Sequence, residues 1–314
     1  MLSCPPGFDF HATATVMRRG PADPLVWYDG RRWRRRLAVD GAACLVEAVP
    51  ADGGLAARVL AGRASRPHLE RTVARLFGLD DPARALSPRL PATVRRAVGR
   101  LRGTAALPGY PTLFEALVHT ILGQQISATA ANAHRAAFTR RFGRPFAFRG
   151  GRYWMFSAPG DVAGERLASL RRPGLSTAKA VAVRAVARAF DRGTVSDAAL
   201  EALPPDAAIA TLTALPGIGR WTAEWVLLRA LRRFDVVPAG DLAVRKAVSW
   251  LAGREELLSE PEVRELAAPW TPYAGLVAFR LLLAHRQTFA SPPARQALVR
   301  AGGTRQAVPA VPVG

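Results

Sequence analysis

The sequence predicts an α+β protein in which an N-terminal antiparallel α+β module is followed by an all-α bundle. Short β-like runs separated by turn signals occur in the N-terminal part, and helical periodicity dominates after Asp80-Asp81-Pro82. No apolar run approaches the ~20 residues of a membrane span. At 314 residues the chain is long enough to bury a large core in two or three domains.

The N-terminal module is predicted from alternation and turn residues. Residues 8–16 alternate as a half-buried strand does, and Arg66 to Leu79 reads as a helix. Turns are expected at Asp29-Gly30 and Asp40-Gly41. The remaining predicted strands cover 25–28, 33–39 and 44–50.

The rest of the chain is predicted to be helical, with an irregular stretch at 143–160. The predicted helices are 88–102, 113–122, 128–142, 161–170, 176–192, 197–202, 206–213, 220–232, 241–251, 260–266 and 272–285. We therefore expect a module at 1–80, a helical region at 81–287 with two subdomains and a cleft between them, and a disordered tail at 288–314 rich in Ala, Pro, Gly and Arg.

The formal net charge of +20 indicates a polyanionic partner. Residues 1–80 hold 12 Lys+Arg against 8 Asp+Glu, and the remainder holds 32 against 16, so most of the excess lies in the helical part. Arginine supplies 42 of the 44 basic residues, which is also what a GC-rich coding bias would produce. The cluster at 31–36 fits either a nucleic-acid contact or the solvated side of an edge strand.

Two cysteines, Cys4 and Cys44, predict no disulfide framework and suit a reducing cytoplasm. The N-terminus lacks the basic start and apolar core of a signal peptide. Scattered histidines give no zinc spacing, and no phosphate-binding loop of the G-x-x-x-x-G-K type is present.

The most informative stretch is Leu215-Pro216-Gly217-Ile218-Gly219-Arg220-Trp221-Thr222-Ala223. Two glycines flank one apolar residue between two predicted helices, which predicts a tight hairpin with Ile218 as its apolar plug. The amides at the start of the second helix lack helical partners, and the helix dipole there favours an anion. Asp241 follows twenty positions after Trp221.

This string resembles the helix-hairpin-helix DNA glycosylases, and within them the alkylation-repair branch, 3-methyladenine DNA glycosylase II. A second match is Phe114-Glu115-Ala116-Leu117-Val118-His119-Thr120-Ile121-Leu122-Gly123-Gln124-Gln125-Ile126-Ser127, upstream in the order of that family. The resemblance covers roughly residues 107 to 285. It implies a protein that flips a damaged base out of duplex DNA and cleaves its N-glycosidic bond.

Asp241 is the candidate catalytic residue. An aspartate at a helix start is most often an N-cap, and both roles are compatible because the cap amides and the dipole stabilise its charge. A fixed carboxylate stabilises the oxocarbenium character that the sugar develops as the base departs.

The resemblance also assigns aromatic residues to the base pocket: Trp221, Trp225 and Trp270. Bifunctional members of the superfamily carry a lysine at the position of Trp221, so its absence predicts hydrolysis without strand cleavage. A tryptophan face favours a cationic alkylated purine. Core packing is the alternative reading for each tryptophan.

Further roles follow from the same resemblance. Gln125, with Gln124, would fill the gap left by the flipped nucleotide, although both also fit a polar helix end. Gly217, Gly219 and Thr222 would contact a DNA phosphate. A monovalent cation, Na⁺ or K⁺, would bind the carbonyls of Thr213, Leu215 and Ile218, and no other cofactor is expected.

Two positions depart from the family pattern, because many relatives have an acidic residue where this chain has Gly240 and an aromatic where it has Leu242. The predicted function is a monomeric, cytoplasmic, nucleoid-associated glycosylase that acts on alkylated bases in base excision repair. The alternatives are a glycosylase for deaminated or other damaged bases and a non-catalytic helix-hairpin-helix DNA-binding protein.

Overall fold

The computed structural model describes residues 1–5, 7–82, 90–99 and 106–290 and confirms the α+β class. Its strands are β1 Leu2–Ser3, β2 Val26–Tyr28, β3 Trp33–Val39, β4 Ala42–Ala51, β5 Gly54–Ala61, β6 Arg144–Phe148 and β7 Gly151–Met155. Its helices are α1 Phe10–Met17, α2 Arg66–Phe77, α3 Ala92–Gly99, α4 Leu113–Gly123, α5 Ala128–Phe142, α6 Gly160–Ala163, α7 Leu167–Arg171, α8 Thr177–Asp191, α9 Asp197–Glu201, α10 Pro205–Thr213, α11 Arg220–Ala230, α12 Leu242–Leu251, α13 Glu260–Ala267 and α14 Ala274–Ala290, with a short 3-10 helix at Ala268–Trp270.

The chain divides into two compact units. The first comprises Met1–Asp81 and Ala105–Arg232, and the second comprises Pro82–Thr104 and Arg233–Gly314. The N-terminal sheet therefore shares a compact unit with the hairpin helices α10 and α11. This division differs from the predicted boundary after residue 80.

The first unit contains a five-stranded antiparallel sheet in the order β1-β5-β4-β3-β2. Three of its strands were predicted, and β1 and β5 are additional. The turn at Asp40 and Gly41 joins β3 to β4 with φ values of 58° and 73°, as its Asp-Gly sequence predicts. Leu69, Val73 and Leu76 of α2 are all buried, which confirms the predicted apolar face.

The predicted strand at 8–16 is wrong, because these residues form helix α1. Asp9 caps this helix, since its Oδ1 accepts a hydrogen bond from the Ala12 amide at 2.9 Å. The buried side chains, Phe10, Thr13, Ala14 and Met17, follow helical spacing. The apparent alternation arose from alanines and threonines, which have little periodicity signal of their own.

The stretch at 143–160 is more regular than predicted, since it contains the hairpin of β6 and β7. Its turn uses Arg149 and Gly150 at φ values of 45° and 76°. Arg36 of β3 lies over the ring of Phe146 in β6, with 4.1 Å between the guanidinium carbon and the ring centroid. The region after residue 80 is therefore not all-α, because it includes this two-stranded sheet.

The second unit is helical in the part of the chain that the structure describes. Helix α12 packs against α14, and both contact α3. Helix α14 runs to Ala290, three residues into the predicted tail, and 291–314 lie outside the described residues. The predicted helix at 88–102 also extends beyond the described residues at both ends. Among the described helices no single one meets the length and hydropathy of a membrane span, and one pair bent by 111° meets them by length and composition alone.

Candidate active site

The predicted hairpin is present in the first unit. Helix α10 ends at Thr213, helix α11 begins at Arg220, and the Ile218 amide donates to the Leu215 carbonyl at 3.2 Å within the turn. Ile218 is buried, as expected of an apolar plug. Gly217 has a φ of +76°, and a Cβ there would lie 2.7 Å from the Cβ of Ala182, so both its conformation and its packing require glycine.

The N-cap of helix α11 is Gly219. Its backbone is extended (φ −86°, ψ 168°), and no side chain caps the helix. A Cβ at Gly219 would have no atom within 4 Å. The helix start thus has no side-chain cap and open space beside Gly219, which is the arrangement that binds a phosphate oxygen.

The two glutamines after α4 have different environments. The Gln124 side-chain amide donates to the Gly217 carbonyl at 3.1 Å and to the Thr222 hydroxyl at 3.3 Å. Gln124 therefore connects the end of α4 to the hairpin, and its place in the duplex gap stays a prediction. Gln125 is exposed and has a φ of +54°, an uncommon conformation for a residue other than glycine, so it remains the candidate wedge.

Thr222 is the second partner of Gln124 in this contact. It is 2% exposed, and its hydroxyl accepts the hydrogen bond from Gln124. The phosphate contact of Thr222 stays a prediction, and its backbone amide lies in the first turn of α11. The sequence did not reveal the contact with Gln124, because the two residues are far apart along the chain.

The predicted pocket tryptophans fall into two groups. Trp221 and Trp225 lie one turn apart on α11 in the first unit, and Trp221 is 39% exposed whereas Trp225 is half-buried. Trp270 ends the 3-10 helix of the second unit and is 4% exposed. Trp221 is the most exposed of the three, which a base-stacking role requires, and the burial of Trp270 agrees with core packing.

Asp241 is the N-cap of helix α12 in the second unit. Its Oδ1 accepts hydrogen bonds from the amides of Ala243 at 2.9 Å and Val244 at 3.1 Å. Its own amide donates to the Pro238 carbonyl at 3.0 Å. These contacts fix the carboxylate at the positive end of a helix, and the side chain is half-buried. The interpretation of Asp241 as an N-cap is therefore confirmed, and it is compatible with a catalytic role.

The residues on either side of Asp241, Gly240 and Leu242, have different surroundings. A Cβ at Gly240 would lie 3.1 Å from Oε2 of Glu260, so a carboxylate from α13 lies beside this glycine. Glu260 also binds Arg264 through its other carboxylate oxygen. The local sequence does not reveal Glu260, because it is twenty positions beyond Gly240. Leu242 is 54% exposed directly after Asp241 and offers an apolar surface there.

These features define a class of protein: one with a helical hairpin whose second helix has no side-chain cap, followed in sequence by a capping aspartate. Residues 118–272 match the family described as the HhH-GPD superfamily base excision DNA repair protein. This part of the chain belongs to the helix-hairpin-helix superfamily, and the relatives it resembles are of the alkylation-repair branch.

The relatives that support this branch are named for 3-methyladenine. The chain is 29% identical over 173 residues to "DNA-3-methyladenine glycosylase" of Bacillus subtilis, which covers 55% of this chain and 57% of the relative. It is 31% identical over 189 residues to "DNA-3-methyladenine glycosylase 2" of Escherichia coli, covering 58% and 62%. The chain thus spans less than two thirds of the length of these curated relatives.

A solved structure extends the similarity over most of the chain. The 3-methyladenine DNA glycosylase of Archaeoglobus fulgidus has a TM-score of 0.73 and 27% sequence identity, and the match covers 90% of this chain and 98% of that one. The N-terminal module therefore belongs to the shared architecture.

Proposed function

We propose that this protein is a DNA glycosylase that hydrolyses the N-glycosidic bond of alkylated bases, of the 3-methyladenine and 7-methylguanine type, in duplex DNA. The observation that carries the proposal is Asp241, a carboxylate held by two backbone amides at a helix start, in a chain that also has the uncapped hairpin. The printed names of the relatives support the substrate class. Base excision repair is the process in which such an activity acts.

The reaction depends on two groups, the cationic base as the leaving group and the carboxylate of Asp241. An alkylated purine carries a positive charge, so the electron pair of the C1′–N bond passes to the base and the base leaves neutral. The sugar then carries the positive charge, which the carboxylate of Asp241 stabilises. Water adds to C1′, its proton passes to the carboxylate or to solvent, and an abasic site remains.

Binding uses the first unit. The amides at the start of α11, at Gly219 and after it, hold a phosphate beside the lesion without reading sequence. Gln125 enters the space of the flipped nucleotide, since it is the exposed residue of the glutamine pair. The ring of Trp221 stacks on the extruded base, and a cationic base gains cation–π attraction that a normal base lacks.

The same residues predict a monofunctional enzyme. The hairpin position that carries a lysine in bifunctional relatives is Trp221, and the chain has only two lysines, Lys179 and Lys246. The amine of Lys179 donates to the Leu122 carbonyl at 3.2 Å. Lys246 is exposed on α12. We therefore expect no Schiff base with the sugar and no strand cleavage.

A monovalent cation fits the outer side of the hairpin. The carbonyls of Thr213 and Ile218 accept no hydrogen bond from the described residues, and the Leu215 carbonyl accepts only the Ile218 amide. Three carbonyl oxygens within one turn are ligands of the kind that coordinate Na⁺ or K⁺. When bound, the ion would add positive charge beside the phosphate-binding amides.

The proposal is tested with methylated DNA and with duplexes that each contain one defined lesion, by measuring free base and abasic sites. We expect release of 3-methyladenine and 7-methylguanine, intact strands until alkali is added, and loss of release in Asp241→Asn. Strand breaks without alkali would contradict the monofunctional assignment. Release only from deaminated-base duplexes would favour the second glycosylase hypothesis, and tight DNA binding without any base release would favour a non-catalytic DNA-binding protein.

A further inference from the structure

The arginine cluster at 31–36 divides into members that are paired with carboxylates and members that are not. Three of its five arginines are neutralised by an acidic partner, in the pairs Arg32–Asp29, Arg34–Glu47 and Arg35–Glu115. Arg31 and Arg36 have no carboxylate partner among the described residues. The cluster is therefore neither wholly a structural ion-pair network nor wholly a free basic surface, and Arg36 is the member with a distinctive setting.

Arg36 lies at one end of a row of stacked side chains on the hairpin of β6 and β7. Its guanidinium carbon is 4.1 Å from the centroid of the Phe146 ring. Phe146 and Phe148 are two residues apart on β6 and share one face, and their ring centroids are 6.4 Å apart at an interplanar angle of 16°. Arg149 follows in the turn, with its guanidinium carbon 5.2 Å from the Phe148 centroid. These four side chains form what we call the arginine–phenylalanine row.

Both guanidinium groups of the row retain their hydrogen-bond donors. Within the part of the chain that the structure describes, neither group donates to an acceptor or pairs with a carboxylate. Arg149 is exposed. Arg36 is half-buried, but none of its nitrogens is among the buried side-chain atoms that lack a partner, so its donors are accessible to solvent. The row thus offers two unneutralised cations to a ligand from outside the protein.

The phenylalanine rings hold these charges in place without cancelling them. An arginine stacked on an aromatic ring uses the flat face of its guanidinium, so the N–H groups at the edge of that plane stay available. Ordering a long side chain is a main cost of forming a surface contact, and stacking meets part of this cost before any ligand binds. A carboxylate partner, such as Glu47 beside Arg34, also orders the side chain but neutralises it. The row therefore has the properties of a preorganised anion-binding surface.

The arrangement of the row favours a polymer of phosphates over one small anion. Two rings separate its two guanidinium groups, so their donors cannot converge on a single ion. Residues 144–155 contain three arginines and no acidic residue. The third unpaired cation nearby is Arg152 of β7, which is exposed and lies over Trp154 at 5.8 Å, whereas Arg144 is neutralised by Asp161. Separate phosphates along one strand match separate guanidinium groups, which bind phosphate through two parallel N–H bonds.

We propose that the arginine–phenylalanine row binds the phosphate backbone of duplex DNA, with one phosphate at Arg36 and another at Arg149. It is a second contact surface of the first unit, in addition to the amides of the hairpin. The identity of the polymer rests on the proposed function, since the hairpin of the same unit is assigned to DNA. Contacts to phosphates do not read sequence, so the row adds affinity for damaged and undamaged duplexes alike.

The test is the salt dependence of binding between the full chain and an undamaged duplex. Each phosphate contact contributes about 0.9 to the slope of log affinity against log salt concentration. The double variant Arg36→Gln/Arg149→Gln should therefore lower this slope by about 2 and weaken binding about tenfold at low salt. Arg149→Gln alone changes an exposed turn residue, so it should fold as the parent does and lower the slope by about 1.

The matched control removes the same charge elsewhere in the first unit. Arg71 of α2 and Arg192 after α8 are both exposed, and neither has a carboxylate or a ring partner among the described residues. Arg71→Gln/Arg192→Gln should leave the slope unchanged. Thermal unfolding of every variant shows whether it is folded, and the single Arg149→Gln variant decides the question if the double variant is not.

The inference is overturned if loss of Arg36 and Arg149 leaves the parent's slope, or if the control pair lowers the slope as much. It is also overturned if the double variant keeps its DNA affinity but no longer binds phosphatidylglycerol vesicles that the parent binds. Because the duplex is undamaged, the outcome is distinct from that of the proposed function. A parent that releases no methylated base but shows the slope change contradicts only the glycosylase assignment, whereas normal base release with an unchanged slope contradicts only the role of the row.

Discussion

Replacing Asp241 by asparagine separates the charge of this side chain from its structural role. Asparagine retains an oxygen that can accept hydrogen bonds from the amides of Ala243 and Val244. In the parent protein these amides donate to Oδ1 of Asp241 at 2.9 Å and 3.1 Å. Because asparagine and aspartate are nearly equal N-caps, the free energy of unfolding should change by less than ~0.5 kcal/mol. The negative charge beside the sugar is lost, and removal of one such preorganised electrostatic group lowers a rate by about 10²–10³, or ~2.7–4 kcal/mol.

The assay is single-turnover release of 3-methyladenine from methylated duplex DNA, with thermal unfolding of the same samples. Asp241→Ala should show a similar loss of rate and also lose ~1 kcal/mol of stability, because it removes the cap. Ser259→Ala is the matched control in the same unit. Ser259 caps α13 through a reciprocal pair of bonds with Glu262, so its loss should cost ~1 kcal/mol of stability and leave base release intact.

The comparison can refute the mechanism in two ways. If the rate of base release by Asp241→Asn is within about threefold of the parent's rate, the carboxylate stabilises the transition state by less than ~0.7 kcal/mol and does not act as proposed. If Ser259→Ala loses as much rate as Asp241→Asn, the loss reflects helix capping and not charge.

Three further predictions concern the first unit. Gly219→Asp should add a few tenths of a kcal/mol of stability by capping α11, yet weaken DNA binding about tenfold in a filter or anisotropy assay, because its carboxylate occupies the amides and repels phosphate; unchanged affinity would remove the hairpin from phosphate binding. Gln124→Leu removes the bonds to Gly217 and Thr222 and should slow base release about tenfold, with little change in affinity for undamaged DNA; a normal rate would show that the tie does not position the wedge. His119 is neutral when folded and protonated when unfolded in acid, so the free energy of unfolding should fall as the pH drops below 6.5, by up to ~1.4 kcal/mol per pH unit from this group; chemical denaturation of His119→Gln should show a smaller slope, and an equal slope would contradict the assignment.

The sequence predicted those features whose signals are local. The hairpin required glycine at Gly217 and an apolar residue at Ile218, both within one short string, and the structure has both in the expected places. The N-cap role of Asp241 was also predictable from the sequence, because the helix that it caps starts with the residues directly after it.

The failures share a different cause, which is pairing between distant parts of the chain. The hairpin of β6 and β7 was missed because its strands interleave arginines and aromatics without clear alternation, and Arg36 and Phe146 pair across more than a hundred residues. The tie from Gln124 to the hairpin and the position of Glu260 beside Gly240 have the same origin. No local pattern encodes such contacts. The sequence therefore indicated both glutamines as candidates but could not show that Gln124 contacts the hairpin whereas Gln125 is exposed.

Two helix starts, one in each unit, have opposite chemistry, and this contrast is the strongest physical reason to assign them opposite tasks. The N-cap of helix α11 is Gly219, which has no side chain, so no carboxylate or hydroxyl of the cap offsets the positive end of the helix dipole there. Helix α12 begins at Asp241, which fills its own amides and presents a fixed negative charge instead. A phosphate is attracted to the first start and repelled by the second, whereas a developing cation is attracted to the second and repelled by the first. A protein that only gripped the DNA backbone would be served better by two uncapped helix starts than by a carboxylate, so the aspartate argues for chemistry on a cationic sugar.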